Sequence, residues 1–155
     1  MHRLYEVSEA QIMLEESLER IQFDLPARLI YLPILSETIA KMLHSLDGLP
    51  DPEMTLYNIQ LATHELCTNI IHHAYQETTG RERIEIQFCL DRQARSFRIN
   101  LRDHGRHFDI AGVAEPNLEH AQIHGYGLFL VRNLMDQVDY THTGGYNEWQ
   151  IVKFL

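Results

Sequence analysis

Cysteine is scarce in this chain. Only Cys67 and Cys89 occur, one within a helix-like pattern and one within a strand-like pattern. So few exclude a disulfide framework and fit a reducing compartment. Basic charge is short as well: 13 lysines and arginines stand against 22 acids, a formal net charge of −9. That balance argues against a nucleic-acid backbone as partner. Diffuse acidity confers solubility and a mild preference for basic surfaces. No apolar run approaches the roughly 20 residues that cross a bilayer, and the first residues lack the apolar core of a signal peptide. Neither a membrane nor export is expected, and the cytoplasm is the expected location. Histidine is plentiful at ten residues, yet no set joins the cysteines at zinc-binding spacing, so scattered polar histidines are expected rather than a transition-metal centre.

What remains is a globular composition: 155 residues, 45% hydrophobic and 23% charged. That length suits one domain with a substantial core. Residues 8–20 read as an amphipathic helix, with Ser8 and Gln11 at capping-box spacing. "IQFDL" alternates as a strand closed by Pro26. A helix starts near Pro33, because proline is tolerated in a first turn, with Ile34, Leu35, Thr38, Ile39, Met42, Leu43 and Leu46 as its stripe. "DGLPDP" breaks the chain. A second helix is expected from about Glu53 to Tyr75, facing inward with Leu56, Ile59, Leu66, Ile70 and Ala74. Two alternating runs, Ile84 to Leu90 and Phe97 to Leu101, form a hairpin. Residues 104–124 lack periodicity and read as a binding loop or lid. A helix from Tyr126 to Val138, the strand "DYTHT", the turn "GGYN" and the strand "EWQIVKFL" complete the chain. Helices thus come in blocks beside hairpins, which predicts an α+β, two-layer sandwich with a mixed, mostly antiparallel sheet covered by helices on one face.

Three places carry chemistry. In "HELCTNIIHHAY", Glu65 and Asn69 lie one helical turn apart on one face, and His73 extends the row. The carboxylate can accept a proton and the amide oxygen can ligate a hard cation such as magnesium; the same row also fits a solvated helix face. In "LRDHGRHFD", alternation places Asp103 on the apolar side after Phe97, Ile99 and Leu101. A buried acid needs hydrogen bonds, and a ligand amino group such as that of adenine would supply one. Gly105 lets the backbone come close to such a ligand. A strand-ending aspartate turned to solvent is the alternative. In "HGYGLFLVRNLM", Gly125 and Gly127 precede an amphipathic helix, whose free N–H groups and dipole favour phosphate. A plain loop-to-helix junction has the same pattern.

Together, Glu-x-x-x-Asn on a helix, Asp-x-Gly at a strand end, a loop and Gly-x-Gly at a helix start resemble the GHKL, or Bergerat-fold, ATPases. Within that superfamily, "ELCTNIIHHAY", "LRDHGRHFD" and "GYGLFLVRNLMDQVDY" make residues 21–155 similar to the anti-sigma factor serine kinases, with residues 1–20 as a helical extension. The resemblance implies ATP and Mg2+ as cofactors. It implies Glu65 as general base toward a serine on a partner, and Asn69 as the magnesium ligand. It places Asp103 at the adenine amino group, Gly105 in the adenine pocket, His73 and Phe108 beside the nucleotide, and Gly125 and Gly127 around the phosphates. It implies two protein partners, a sigma factor and an anti-sigma-factor antagonist, in a switch where phosphorylating the antagonist frees the kinase to hold sigma. A homodimer is the oligomer to expect, since two-fold symmetry is the commonest. The chain departs from the pattern in three places. His107 stands where the superfamily has a second glycine, no basic residue precedes Gly125, and Gly145-Tyr146-Asn147 stands where relatives often have Gly-Thr. Those departures define the alternative, a weakly active or inactive binding module that regulates a partner by docking.

Overall fold

The computed structural model describes residues 18–75, 80–108 and 126–155. Strand β1 (Leu18–Pro26) leads through a 3-10 turn (Leu29–Tyr31) into helix α1 (Leu32–His44), with Pro33 in its first turn. Helix α2 (Pro52–Asn69) starts at Asp51, whose Oδ1 accepts the Met54 N–H at 3.1 Å, with Pro52 again in the first turn. The hairpin β2 (Arg83–Asp91) and β3 (Ser96–Asp103) follows, then helix α3 (Tyr126–Leu134) and the hairpin β4 (Gln137–Thr143) and β5 (Tyr146–Phe154). The sheet order is β1-β2-β3-β5-β4 and every described pairing is antiparallel. The expected two-layer α+β sandwich is present, with no parallel pair among the described residues.

Register explains the core. Because alternate side chains share a face, the row of Leu90 and Phe97 and three further cross-strand rows look toward the helices. One is Ile21, Phe88, Ile99, Ile151 and Val138; the next is Phe23, Ile86, Leu101, Trp149 and Tyr140. The third runs Leu25, Ile84, Asp103, Asn147 and His142, so it changes from apolar to polar midway across the sheet. Leu35, Ile39 and Leu43 of α1 and Ile59 and Leu66 of α2 complete the apolar side. The opposite face carries a broad recess of about 1000 Å³ floored by a carboxamide row that includes Gln87, Asn100 and Gln150. None of the expected site residues lines it. Both cysteines are free and buried.

Several boundaries differ from the expectations. Leu18, Glu19 and Arg20, expected as the end of a helix, instead pair with Asp91, Leu90 and Cys89; the rest of that segment lies outside the described residues. Ile34, expected inward, is 44% exposed, and Leu32 takes its place in the core. Helix α2 widens into a π turn over Ile70–Ala74 instead of continuing to Tyr75 as α-helix. Helix α3 stops at Leu134 because Asp136 turns onto β5: its N–H bonds the Val152 carbonyl and its carboxylate accepts the Phe154 N–H at 2.7 Å. Tyr146 and Asn147, expected in a turn, open β5. The turn itself is Gly144–Gly145, both at positive φ as a two-residue hairpin requires.

Phe88 is fully buried between Phe23 and Phe97, with ring centroids 5.5 and 5.8 Å away. Phe88→Ala is expected to lower stability by about 3–5 kcal/mol, and Asp51→Ala, which removes the α2 cap, by about 1 kcal/mol. Denaturant unfolding of the two variants checks both values and their order.

Candidate functional site: a half-satisfied carboxylate beside two helix termini

Asp103 is fully buried. Its Oδ1 accepts two bonds of 2.8 Å, from the Gly105 N–H and from Asn147 Nδ2. Its Oδ2 has no partner, one of two such side-chain atoms among the described residues. Leaving a buried acceptor unsatisfied costs about 1–3 kcal/mol. Burial pushes the Asp103 carboxyl above its ordinary 3.8, against the opposing pull of Asn147, Gly105 and nearby histidines. The inward acid expected from alternation is therefore present, and the solvent-facing alternative is not. The donor set also fits an adenine amino group: a fixed acceptor with a free lone pair, at the polar end of an apolar row.

Asn147 was not among the expected site residues, yet it organises this end of the sheet. It is 1% exposed. Its Nδ2 also reaches the carbonyls of Arg106 at 3.0 Å and Gly105 at 3.2 Å. Its Oδ1 accepts the Tyr140 hydroxyl at 2.7 Å and faces His142 Nδ1 at 2.9 Å. Burial pushes the Tyr140 hydroxyl above 10.0, which keeps it a donor. Continuing the Trp149–Ile151 alternation back by two residues is the signal that places Asn147 inward.

The π turn joins this end of the sheet to helix α2. Gly105 packs directly on Ala74: a Cβ there would lie 2.3 Å from the Ala74 Cβ and 2.7 Å from its carbonyl oxygen. The Arg106 N–H bonds that carbonyl at 3.0 Å, and the His104 N–H bonds the Tyr75 hydroxyl at 3.1 Å. Only glycine admits this approach. Wider turns of this type frequently mark functional sites. His73 lies within the turn.

The second half of the site lies at the start of α3. A Cβ on Gly127 would stand 2.8 Å from Asn69 Nδ2, 3.0 Å from Glu65 Oε2 and 3.1 Å from Asn69 Oδ1. The structure therefore brings Glu65 and Asn69, one turn apart on α2, against the glycine that opens α3, and all three are half-buried. Phe108 packs on Trp149 with centroids 5.4 Å apart, and its N–H bonds the Tyr140 hydroxyl at 2.9 Å. Gly125 and most of the expected lid lie outside the described residues. Asp103, Gly105, Phe108, Glu65, Asn69 and Gly127 thus sit on neighbouring element ends along the helix-covered side of the sheet.

The histidine kinase-like ATPase domain family matches residues 25–153, and the chain belongs to that family. Within it, the chain is distantly homologous to the RsbW serine kinases. It is 30% identical over 139 residues to the serine-protein kinase RsbW of Bacillus cereus (strain Q1), over 84% of this chain and 82% of that protein. It is 29% identical, over the same shares, to RsbW of Bacillus anthracis (strain CDC 684 / NRRL 3495). The fold matches the crystal structure of the RsbU and RsbW domains of Rv1364c from Mycobacterium tuberculosis, with a TM-score of 0.62 at 15% identity. That match covers 88% of this chain and 32% of the other. Family membership implies ATP binding. Among the described residues, no helix is long and apolar enough to cross a membrane.

The raised carboxyl has a testable sign. The native state holds the Asp103 proton more tightly than the unfolded chain, so this group's stabilising protonation is lost as pH rises from 3.8 through the folded-state value. Without nucleotide, Asp103→Asn is expected to gain stability relative to wild type across that window and to hold the gain above it. Thermal midpoints of both proteins from pH 4 to 8 check this; a wild type that gains on the variant as pH rises would contradict it.

Proposed function

We propose that this protein is an ATP-dependent serine kinase acting in a partner switch. Its substrate would be an anti-sigma-factor antagonist and its second partner a sigma factor. The observation that carries the reading is the meeting of Glu65, Asn69 and Gly127 at one end of the site with the half-satisfied Asp103 at the other. The distant homology to serine-protein kinases supports the choice of serine.

Each residue then has a task. Asp103 accepts the adenine amino group at Oδ2, and Gly105 and Phe108 border the base. Asn69 offers its amide oxygen to Mg2+, while Gly127 and Gly125 leave room and backbone N–H groups for the phosphates. His73, one turn beyond Asn69, borders the nucleotide. Bound Mg-ATP supplies the phosphoryl group. Glu65 takes the proton from the incoming serine hydroxyl as that oxygen bonds to the γ-phosphorus and ADP leaves. Little else is needed, because phosphoryl transfer rests on positioning and charge stabilisation. The product serine carries roughly −1.5 to −2 added charges, and a chain of net charge −9 disfavours keeping it bound. Release of the phosphorylated antagonist would then free the kinase for sigma. Such a switch belongs in the cytoplasm and needs neither nucleic acid nor membrane; two copies of the chain could act together.

One observation favours a second reading. His107, in place of a superfamily glycine, lies with its ring centroid 5.0 Å from that of His142 and 6.0 Å from that of Tyr140, beside the residues that hold Asn147. A module that binds a partner without transferring phosphate would tolerate such a residue. Glu65→Gln separates the two. For a kinase, labelled phosphate transfer from Mg-ATP to the cognate antagonist should fall by about 10²–10⁴-fold, with ATP binding retained. No transfer by wild type, with regulation of the partner unaffected by Glu65→Gln, would favour the docking module.

A further inference from the structure

We propose that Asn147 is a positioning residue for base recognition: with the Gly105 N–H it ties down one oxygen of Asp103 and leaves the other free to accept from the nucleotide base. The proposal rests on the nucleotide-binding reading above. Three oxygens surround Asn147 Nδ2: Asp103 Oδ1 at 2.8 Å, the Arg106 carbonyl at 3.0 Å and the Gly105 carbonyl at 3.2 Å. An ionised carboxylate and two carbonyls only accept, so the NH2 end of the amide must point at them. The oxygen end is then held by the Tyr140 hydroxyl and His142 Nδ1, which must both donate. Tyr140 is held in turn by the Phe108 N–H at 2.9 Å. The amide cannot flip without setting oxygen against three acceptors.

That fixed donor acts together with the Gly105 N–H. Both point at the same oxygen of residue 103, and the other oxygen is left without a partner. The outward group of an aspartate held this way is a pure acceptor. It matches a 6-amino purine and meets the lone pairs of a 6-oxo purine head on. An asparagine at 103 would have its own oxygen claimed by the same two donors, turning its NH2 outward. A donor would then face the base, and the preference should reverse toward the 6-oxo purine.

The test measures dissociation constants of Mg-ATP and Mg-ITP by calorimetry for wild type, Asp103→Asn, Asn147→Ala and Asp103→Asn/Asn147→Ala, each checked for folding by circular dichroism. Wild type should favour ATP by about tenfold or more, the scale of one buried group left unpaired. Asp103→Asn should favour ITP. The double variant should move back toward equal affinity, since one of the two orienting donors is gone. Asn147→Ala alone should narrow the wild-type ratio, because the carboxylate is then held by the Gly105 N–H alone and is no longer fixed toward the base. If the Asp103→Asn variants do not fold, the Asn147→Ala ratio decides. An unchanged ratio in Asn147→Ala, or an Asp103→Asn protein that still prefers ATP, overturns the proposal while leaving nucleotide binding intact. A wild type that binds neither triphosphate overturns the nucleotide reading and this inference with it.

Discussion

A carboxylate with one oxygen bonded twice and the other left alone is the constraint around which this end of the molecule is arranged. Asp103 stands in a cross-strand row that begins with Leu25 and Ile84, and β3–β5 register sets it opposite Asn147. Moving that register by one residue would send Asp103 to the polar face and destroy the pocket. The apolar rows alongside, through Phe88 and Ile99 and through Leu101 and Trp149, resist the slip because they would be exposed by it. Core packing and site geometry therefore share one cause. The buried orphan oxygen is a stability cost in the free protein that a ligand amino group would offset.

The helices join the two ends of the site through one continuous stretch. Helix α2 presents Glu65 and Asn69, then widens at Ile70–Ala74 so that the Ala74 carbonyl meets the Arg106 N–H and Gly105 closes on Ala74. As the last residue of the turn, Ala74 has one of the carbonyls that any helix end leaves without an intrahelical partner. The strand-end loop takes it. At the other end, the absence of a side chain at Gly127 lets α3 approach the Glu65 and Asn69 tips. The two contacts thus depend on a carbonyl left free at the end of one helix and on a Cβ missing at the start of the other.

Much of the fold was legible because its signals are periodic. Alternation from Phe97 to Leu101 carried far enough to place Asp103 inward, Pro33 located the start of α1, and the break over "DGLPDP" located that of α2 to within a residue. The inward placement of Asn147 was equally periodic, two residues before Trp149, but a four-residue turn over "GGYN" hid it. The two glycines make the whole turn themselves at positive φ, and the strand begins one residue later. The α3 end is not legible for a different reason. Its apolar spacing continues past Leu134, and only the tertiary bonds of Asp136 to β5 stop it. Juxtaposition of Glu65 and Asn69 with Gly127 has no periodic signature; only the family resemblance implies it, because no local rule relates residues so far apart in sequence.

The account stands or falls on adenine completing Asp103. The most direct measurement compares the thermal stability of the wild-type chain with Mg-ATP and with Mg-tripolyphosphate at equal concentration. Ligand at 100 times its dissociation constant adds about 2.7 kcal/mol. The account predicts a clearly larger rise with ATP, since only ATP brings an amino group to the orphan oxygen. Equal shifts from the two would mean that phosphate alone is bound, and would contradict it.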